Sequence, residues 1–152
     1  MGQVGVERSI WIGAARERVW RALTDPEQIE RWFSPGTRWE LSSLETGGRL
    51  YVRDAETGGE LYTQVIEAIE APYRLVLHSA GEPPANPESR TFHTLVEEKG
   101  GTRLSLRYTV YGDEADGTLV RHIEMAGQGF TGVLENIAAH VEGRALVHPK
   151  GF

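Results

Sequence analysis

Along residues 4–12 the even positions Val4, Val6, Ile10 and Ile12 are apolar and only Arg8 interrupts them, a period of two that predicts a half-buried strand. After Gly13 the period lengthens. Ala15, Val19, Trp20 and Leu23 recur at helical intervals, and Asp25-Pro26 ends that helix and starts a second, short one over 27–33, which Ser34-Pro35-Gly36 closes. Short extended segments follow over 37–41, 49–53 and 60–70, separated by Gly47-Gly48 and Gly58-Gly59. Ala71-Pro72 turns the chain into a strand over 73–79, and two further strands, over 90–97 and 103–111, flank Lys99-Gly100-Gly101 as a hairpin. From 118 to 144 Leu119, Ile123, Ala126, Phe130, Val133, Ile137 and Val141 fall at steps of three and four, predicting one long amphipathic helix. Asp116 or Thr118 is its candidate cap and Gly143 its stop.

The order is strand, two short helices, about six more strands and a long helix, which is α+β rather than a parallel βαβ arrangement. One helix cannot cover such an antiparallel sheet if the sheet stays flat. The sheet is therefore expected to curl around the helix and to leave space between them.

Composition sharpens this picture at a few points. The 152 residues, 39% hydrophobic and 25% charged, suit one globular domain spanning 1–152, with no repeat and no linker. The loop over 80–88 is the one candidate mobile segment. A formal charge of -6 without a Lys/Arg block argues against nucleic acid as a partner. With no cysteine there are no disulfides, thiolate metal sites or thiol nucleophiles. Residues 1–7 lack a basic stretch followed by an apolar run, and no window is long enough to insert into a membrane, so cytoplasm is the expected compartment.

The run from Arg16 to Pro26 (Arg-Glu-Arg-Val-Trp-Arg-Ala-Leu-Thr-Asp-Pro), followed by Arg31-Trp32-Phe33-Ser34-Pro35-Gly36, resembles the homologues of the activator of the 90-kDa heat-shock-protein ATPase. That family lies within the SRPBCC superfamily of START-type and pollen-allergen-like domains. Gly47-Gly48-Arg49, Pro72-Tyr73-Arg74-Leu75-Val76, Gly101-Thr102-Arg103-Leu104 and Gly129-Phe130 extend the likeness over nearly the whole chain. The resemblance implies a helix-grip fold: a curved antiparallel sheet of about six to seven strands around a long C-terminal helix, with two short helices after the first strand. It does not imply one activity, since the superfamily includes lipid carriers, polyketide cyclases, antibiotic-resistance proteins and a chaperone activator. Two departures fall where such domains open their cavity. Relatives commonly carry Trp-Trp-Gly-Pro where this chain has Trp32-Phe33-Ser34-Pro35, and the segment 81–87 is richer in proline.

Strand parity nominates the residues that face the helix. In the last hairpin Leu104, Leu106 and Tyr108 share the inner face, and aligning the preceding strand places Thr91, His93 and Leu95 opposite them. The resemblance supports this parity, because relatives usually place apolar residues there. His93 is then a polar residue where the pattern expects none. It reads either as a hydrogen-bonding group or general base for a ligand, or as a core histidine satisfied by Tyr108 or Thr91. His78 has the opposite parity to Leu75 and Leu77 and is expected outside. Trp32, Phe33 and Trp39 form an aromatic wall or ordinary core. Gly127, Gly129 and Gly132 interrupt the long helix, either making room for a ligand or allowing close packing. Glu97-Glu98 and Asp113-Glu114 read as solvated, and His122, His140 and His148 lack zinc spacing; no metal or cofactor is expected.

Three functions follow. The first is binding of a small apolar or aromatic molecule by Trp32, Phe33, Trp39, Thr91, His93, Leu106, Tyr108, Met125 and Phe130. The second is a cyclase- or hydrolase-like enzyme with His93 as base, which needs a second polar group converging on it, and only Tyr108 offers itself. The third, implied by the family resemblance alone, is a surface partner of the 90-kDa heat-shock protein. An outward Phe92 could mark a homodimer surface.

Overall fold

The computed structural model describes residues 2–81, 87–112 and 117–152. Its elements are β1 (Gly2–Ile12), α1 (Arg16–Thr24), α2 (Pro26–Phe33), β2 (Trp39–Leu41), β3 (Arg49–Arg53), β4 (Glu60–Glu70), β5 (Arg74–Ser79), β6 (Glu88–Glu98), β7 (Gly101–Gly112) and α3 (Thr118–Val141). The strands make one antiparallel sheet in the order β1-β7-β6-β5-β4-β3-β2, curved around α3. Asp113-Glu114, the capping candidate Asp116 and the central part of the 80–88 loop lie outside the described residues.

The helix boundaries follow from local chemistry. Asp25 ends α1 and caps α2: its carboxylate accepts the Glu27 N–H at 3.1 Å, and Pro26 occupies the first helical position, where no N–H is needed. Trp32 Nε1 then donates to the Ala22 carbonyl at 2.8 Å and ties the two helices together. At the far end of α3, Gly143 takes a left-handed conformation (φ 73°). Its N–H bonds to the His140 carbonyl and the Arg144 N–H to that of Ala139, a Schellman closure that stops the helix at Val141 rather than 144. Thr118 does not cap this helix but is its first residue, entered through Gly117 at φ 77°.

Several strand ends differ from the sequence expectation. β6 begins at Glu88, not 90, because Glu88 and Ser89 still pair with Tyr111 and Val110. β7 begins at Gly101: the turn is the two residues Lys99 and Gly100, both at positive φ, which matches the twist of the strands they join. Gly101 is needed in the strand itself, since a Cβ there would lie 2.4 Å from the Ile12 carbonyl oxygen.

The core joins the inner sheet face to the helices through Ile12, Val19, Leu95, Leu104 and Ile137, all essentially inaccessible. Burial along α3 is uneven. Ile137 and Val141 are buried, while Ile123, Ala126, Phe130 and Val133, on the same apolar stripe, are only half-buried. That half of the helix roofs a space.

The three helix glycines divide accordingly. A Cβ at Gly127 would meet Arg8 and Val6 of β1, and one at Gly132 would meet Phe152 and His148, so both permit close packing. At Gly129 a Cβ meets nothing within 4 Å. Gly129→Ala is therefore expected to stabilise the protein by about 0.5–1 kcal/mol through helix propensity alone, read as a raised midpoint in thermal unfolding. A lowered midpoint would mean that the glycine's backbone is needed.

Phe92 points to the outer face, as its parity predicts. That ring is half-buried, and the Arg107 guanidinium lies 4.2 Å above its centre, covering the apolar surface with a cation. Glu97 and Glu98 pair outside with Arg16 and Arg103. His78, on the outer face as its parity predicts, bonds Glu88 at 2.7 Å.

Candidate functional site

Between the inner face of the sheet and α3 lies a cavity of about 550 Å³. Trp32, Phe33, Trp39, Thr91, His93, Leu106, Tyr108, Met125 and Phe130 all line it. Their positions in it differ. Met125 is 74% exposed and stands at the rim, where Tyr62 of β4, equally exposed, also borders the cavity. The rings of this wall touch one another: Phe33 meets Trp32 and Trp39 edge-on at 5.9 and 5.3 Å and lies tilted against Phe152 at 5.9 Å.

The segment after α3 completes that wall. Asn136, wholly buried, donates from Nδ2 to the carbonyls of Trp32 and His148 (both 2.9 Å), and its Oδ1 accepts the His148 N–H at 2.8 Å. The Phe152 N–H in turn donates to the Phe33 carbonyl at 3.1 Å.

His93 occupies the inner face of β6, 9% exposed, but its partner is neither Tyr108 nor Thr91. Nδ1 is 3.1 Å from the carbonyl oxygen of Leu75, the residue directly across from it on β5. A carbonyl can only accept, so Nδ1 carries the proton and Nε2 is a bare acceptor, with no partner among the described residues. Burial, only partly offset by the Leu75 hydrogen bond, pushes the ring's pKa down to about 4. A base so weak is a poor proton acceptor for catalysis at neutral pH and remains a good hydrogen-bond acceptor.

Tyr108 points elsewhere. Its hydroxyl shares a 3.1 Å hydrogen bond with His122 Nε2 of α3, and its ring meets Phe130 at 5.1 Å. Burial raises its pKa above the ordinary tyrosine value. His93 is held towards β5 and Tyr108 towards α3, so the second polar group that the enzyme reading requires does not converge on His93.

Sequence reasoning missed His122, Ser89, Ser79, Gln64 and Phe152, all of which line the cavity. Two were within reach. His122 is three and four residues from Met125 and Ala126, hence on the same helical face. Ser89 shares the parity of Thr91 and His93 but lies before 90, where the sequence pattern starts the strand, whereas β6 begins two residues earlier at Glu88.

No Lys, Arg, Asp or Glu appears among the described lining residues. Nor does any group of three or more His, Cys, Asp or Glu side chains among the described residues form a candidate metal site. Among the described residues no helix is long and apolar enough to cross a membrane.

A curved antiparallel sheet gripping a long helix across a cavity defines the helix-grip class. Residues 13–142 match the family described as activator of Hsp90 ATPase homolog 1-like protein, and the chain belongs to that family. No curated protein matches it. Among solved structures, the protein MLL2253 of Mesorhizobium loti is 26% identical, covering 95% of this chain and 100% of its own, with a TM-score of 0.70. The solution structure of the Aha1 dimer of Colwellia psychrerythraea is 16% identical over 91% of this chain and 96% of its own, with a TM-score of 0.71. DynU16, described as a protein in the dynemicin biosynthetic locus, is 21% identical over 97% of this chain and 49% of its own, with a TM-score of 0.69.

Proposed function

We propose that this protein binds a small, largely apolar molecule in the space between the sheet and α3. The observation that carries the reading is the cavity itself. Its size falls within the range of about 300–1,000 Å³ typical of small-molecule sites, and it is roofed by a helix stripe left half-buried where a protein without a ligand would close its core. Aromatic rings supply broad contact, and the polar groups do not converge on His93, since Tyr108 bonds His122 and Ser89 instead, which suits orientation of a ligand more than catalysis. The biosynthetic locus given for DynU16 accords with a small-molecule role. The cyclase- or hydrolase-like alternative lacks its converging pair. The co-chaperone alternative rests on the family's description and on no feature of the described surface.

Native mass spectrometry of protein purified gently from its own host tests this. The expected result is a stoichiometric small-molecule adduct, released and identifiable after denaturation, and absent from a folded Leu106→Trp variant whose indole fills the cavity floor. An adduct that persists in Leu106→Trp places the ligand elsewhere. Folded wild-type protein that neither carries an adduct nor takes up any added apolar aromatic probe would sink the reading.

A further inference from the structure

Three polar groups of the cavity are arranged in a line. Ser89, Thr91 and His93 alternate along the inner face of β6, so at about 3.3 Å per residue they form a stripe roughly 13 Å long. Ser79 lies beside Ser89 on β5, while Leu77 and Leu75 flank Thr91 and His93. Serine and threonine hydroxyls rotate to donate or accept as needed and so impose little preference. His93 does impose one. With Nδ1 committed to the Leu75 carbonyl, its Nε2 can only accept, and the backbone register that places Leu75 opposite fixes this tautomer.

The second observation concerns charge. The described wall contains no lysine or arginine, and the buried His93 imidazole stays neutral near pH 7 because burial disfavours its protonation. A carboxylate entering this space would lose its water and gain no permanently charged counter-ion, and His122 Nε2 is already shared with the Tyr108 hydroxyl. A hydroxyl would lose its water too, but His93 Nε2 would replace it.

We propose that the cavity selects uncharged, mainly apolar molecules bearing a hydroxyl, bound with the O–H donating to His93 Nε2, and discriminates against carboxylates of the same shape. This rests on the cavity-binding reading above and narrows it to phenols and alcohols over fatty or aromatic acids.

Three pyrene derivatives that differ at one substituent test it by fluorescence titration of the full chain at pH 7. The expected order is 1-hydroxypyrene tightest, 1-methoxypyrene about tenfold weaker for want of the donor, and pyrene-1-carboxylate weaker again. In His93→Phe the hydroxypyrene advantage should shrink to about twofold or less while methoxypyrene still binds. A reading that needs no variant comes from the imidazole ¹⁵N resonances of the wild type, in which hydroxypyrene, and not methoxypyrene, should shift Nε2. Equal binding of hydroxy- and methoxypyrene overturns the proposal, as does tightest binding of the carboxylate or an advantage that survives in His93→Phe. Saturable binding of the ethers and acids without a hydroxyl preference would leave the cavity reading standing and this inference refuted. If no derivative binds saturably, this inference falls, and the cavity reading falls with it where native mass spectrometry also finds no adduct.

Discussion

Asn136→Leu is expected to cost about 3 kcal/mol of stability and to release the segment 142–152 from the body of the protein. The shape of the side chain is nearly kept, so the cost comes from unmet hydrogen bonds. The Trp32 carbonyl loses its buried donor at 2.9 Å, and the His148 N–H and carbonyl lose both of their contacts with residue 136. Water can reach His148 but not the Trp32 carbonyl, which limits the loss to a part of what three buried groups would give. The two consequences are read separately: urea unfolding gives the free energy, and amide hydrogen exchange along 146–152 reports release of the segment. Since Phe152 touches Phe33 at the cavity wall, apolar probe binding should weaken in the same variant. Unchanged exchange along 146–152 would show that the aromatic contacts hold the segment without Asn136.

The second large effect is on acid stability. The unfolded chain protonates His93 near the ordinary 6.5, whereas the folded chain resists protonation down to about 4. The unfolded state therefore binds the extra proton between these values, and stability falls as pH drops through that window. The full difference corresponds to roughly 3 kcal/mol, complete near pH 4. His140, lowered by burial and then by Arg31 and Arg18, adds to the decline in the same direction. The paired carboxylates act later: Glu142, held low first by the Gly13 N–H, contributes stability that disappears only below the carboxylate range. Urea midpoints of wild type and His93→Phe, measured between pH 7 and 4.5, should show most of the slope removed in the variant. Parallel slopes would mean that the imidazole is solvated in the folded protein.

Much of the frame could be read from residue order because it is fixed by local chemistry. Asp25-Pro26 carries its own cap and its own block, Gly143 its own left-handed turn, and the alternation of Thr91, His93 and Leu95 its own inward face. What escaped depends on pairing between distant segments. The partner of His93 is set by the register of β5 against β6, which no local pattern encodes, and so Leu75 was not foreseen. Phe152 reaches the cavity only through Asn136 and Phe33, contacts far apart in sequence. The glycines of α3 looked alike in sequence and separate only when it is known what stands opposite each one. At Phe92 parity placed the ring on the outer face, but could not show the Arg107 that stacks on it.

The strand order carries a consequence for how the protein is made. β1 has no partner among its neighbours in sequence; it pairs along its whole length with β7, from Gly2 opposite Gly112 to Ile12 opposite Thr102. The hairpins β4-β5, β5-β6 and β6-β7 close short loops and can form early, while β1 must wait until β7 has been synthesised and then find it across most of the chain. Until it docks, β7 presents an unpaired edge and Leu104 and Leu106 lack their cover. Nascent chains of this protein are thus expected to be most vulnerable to association during that interval, and the closing of β1 onto β7 is expected among the late steps of folding.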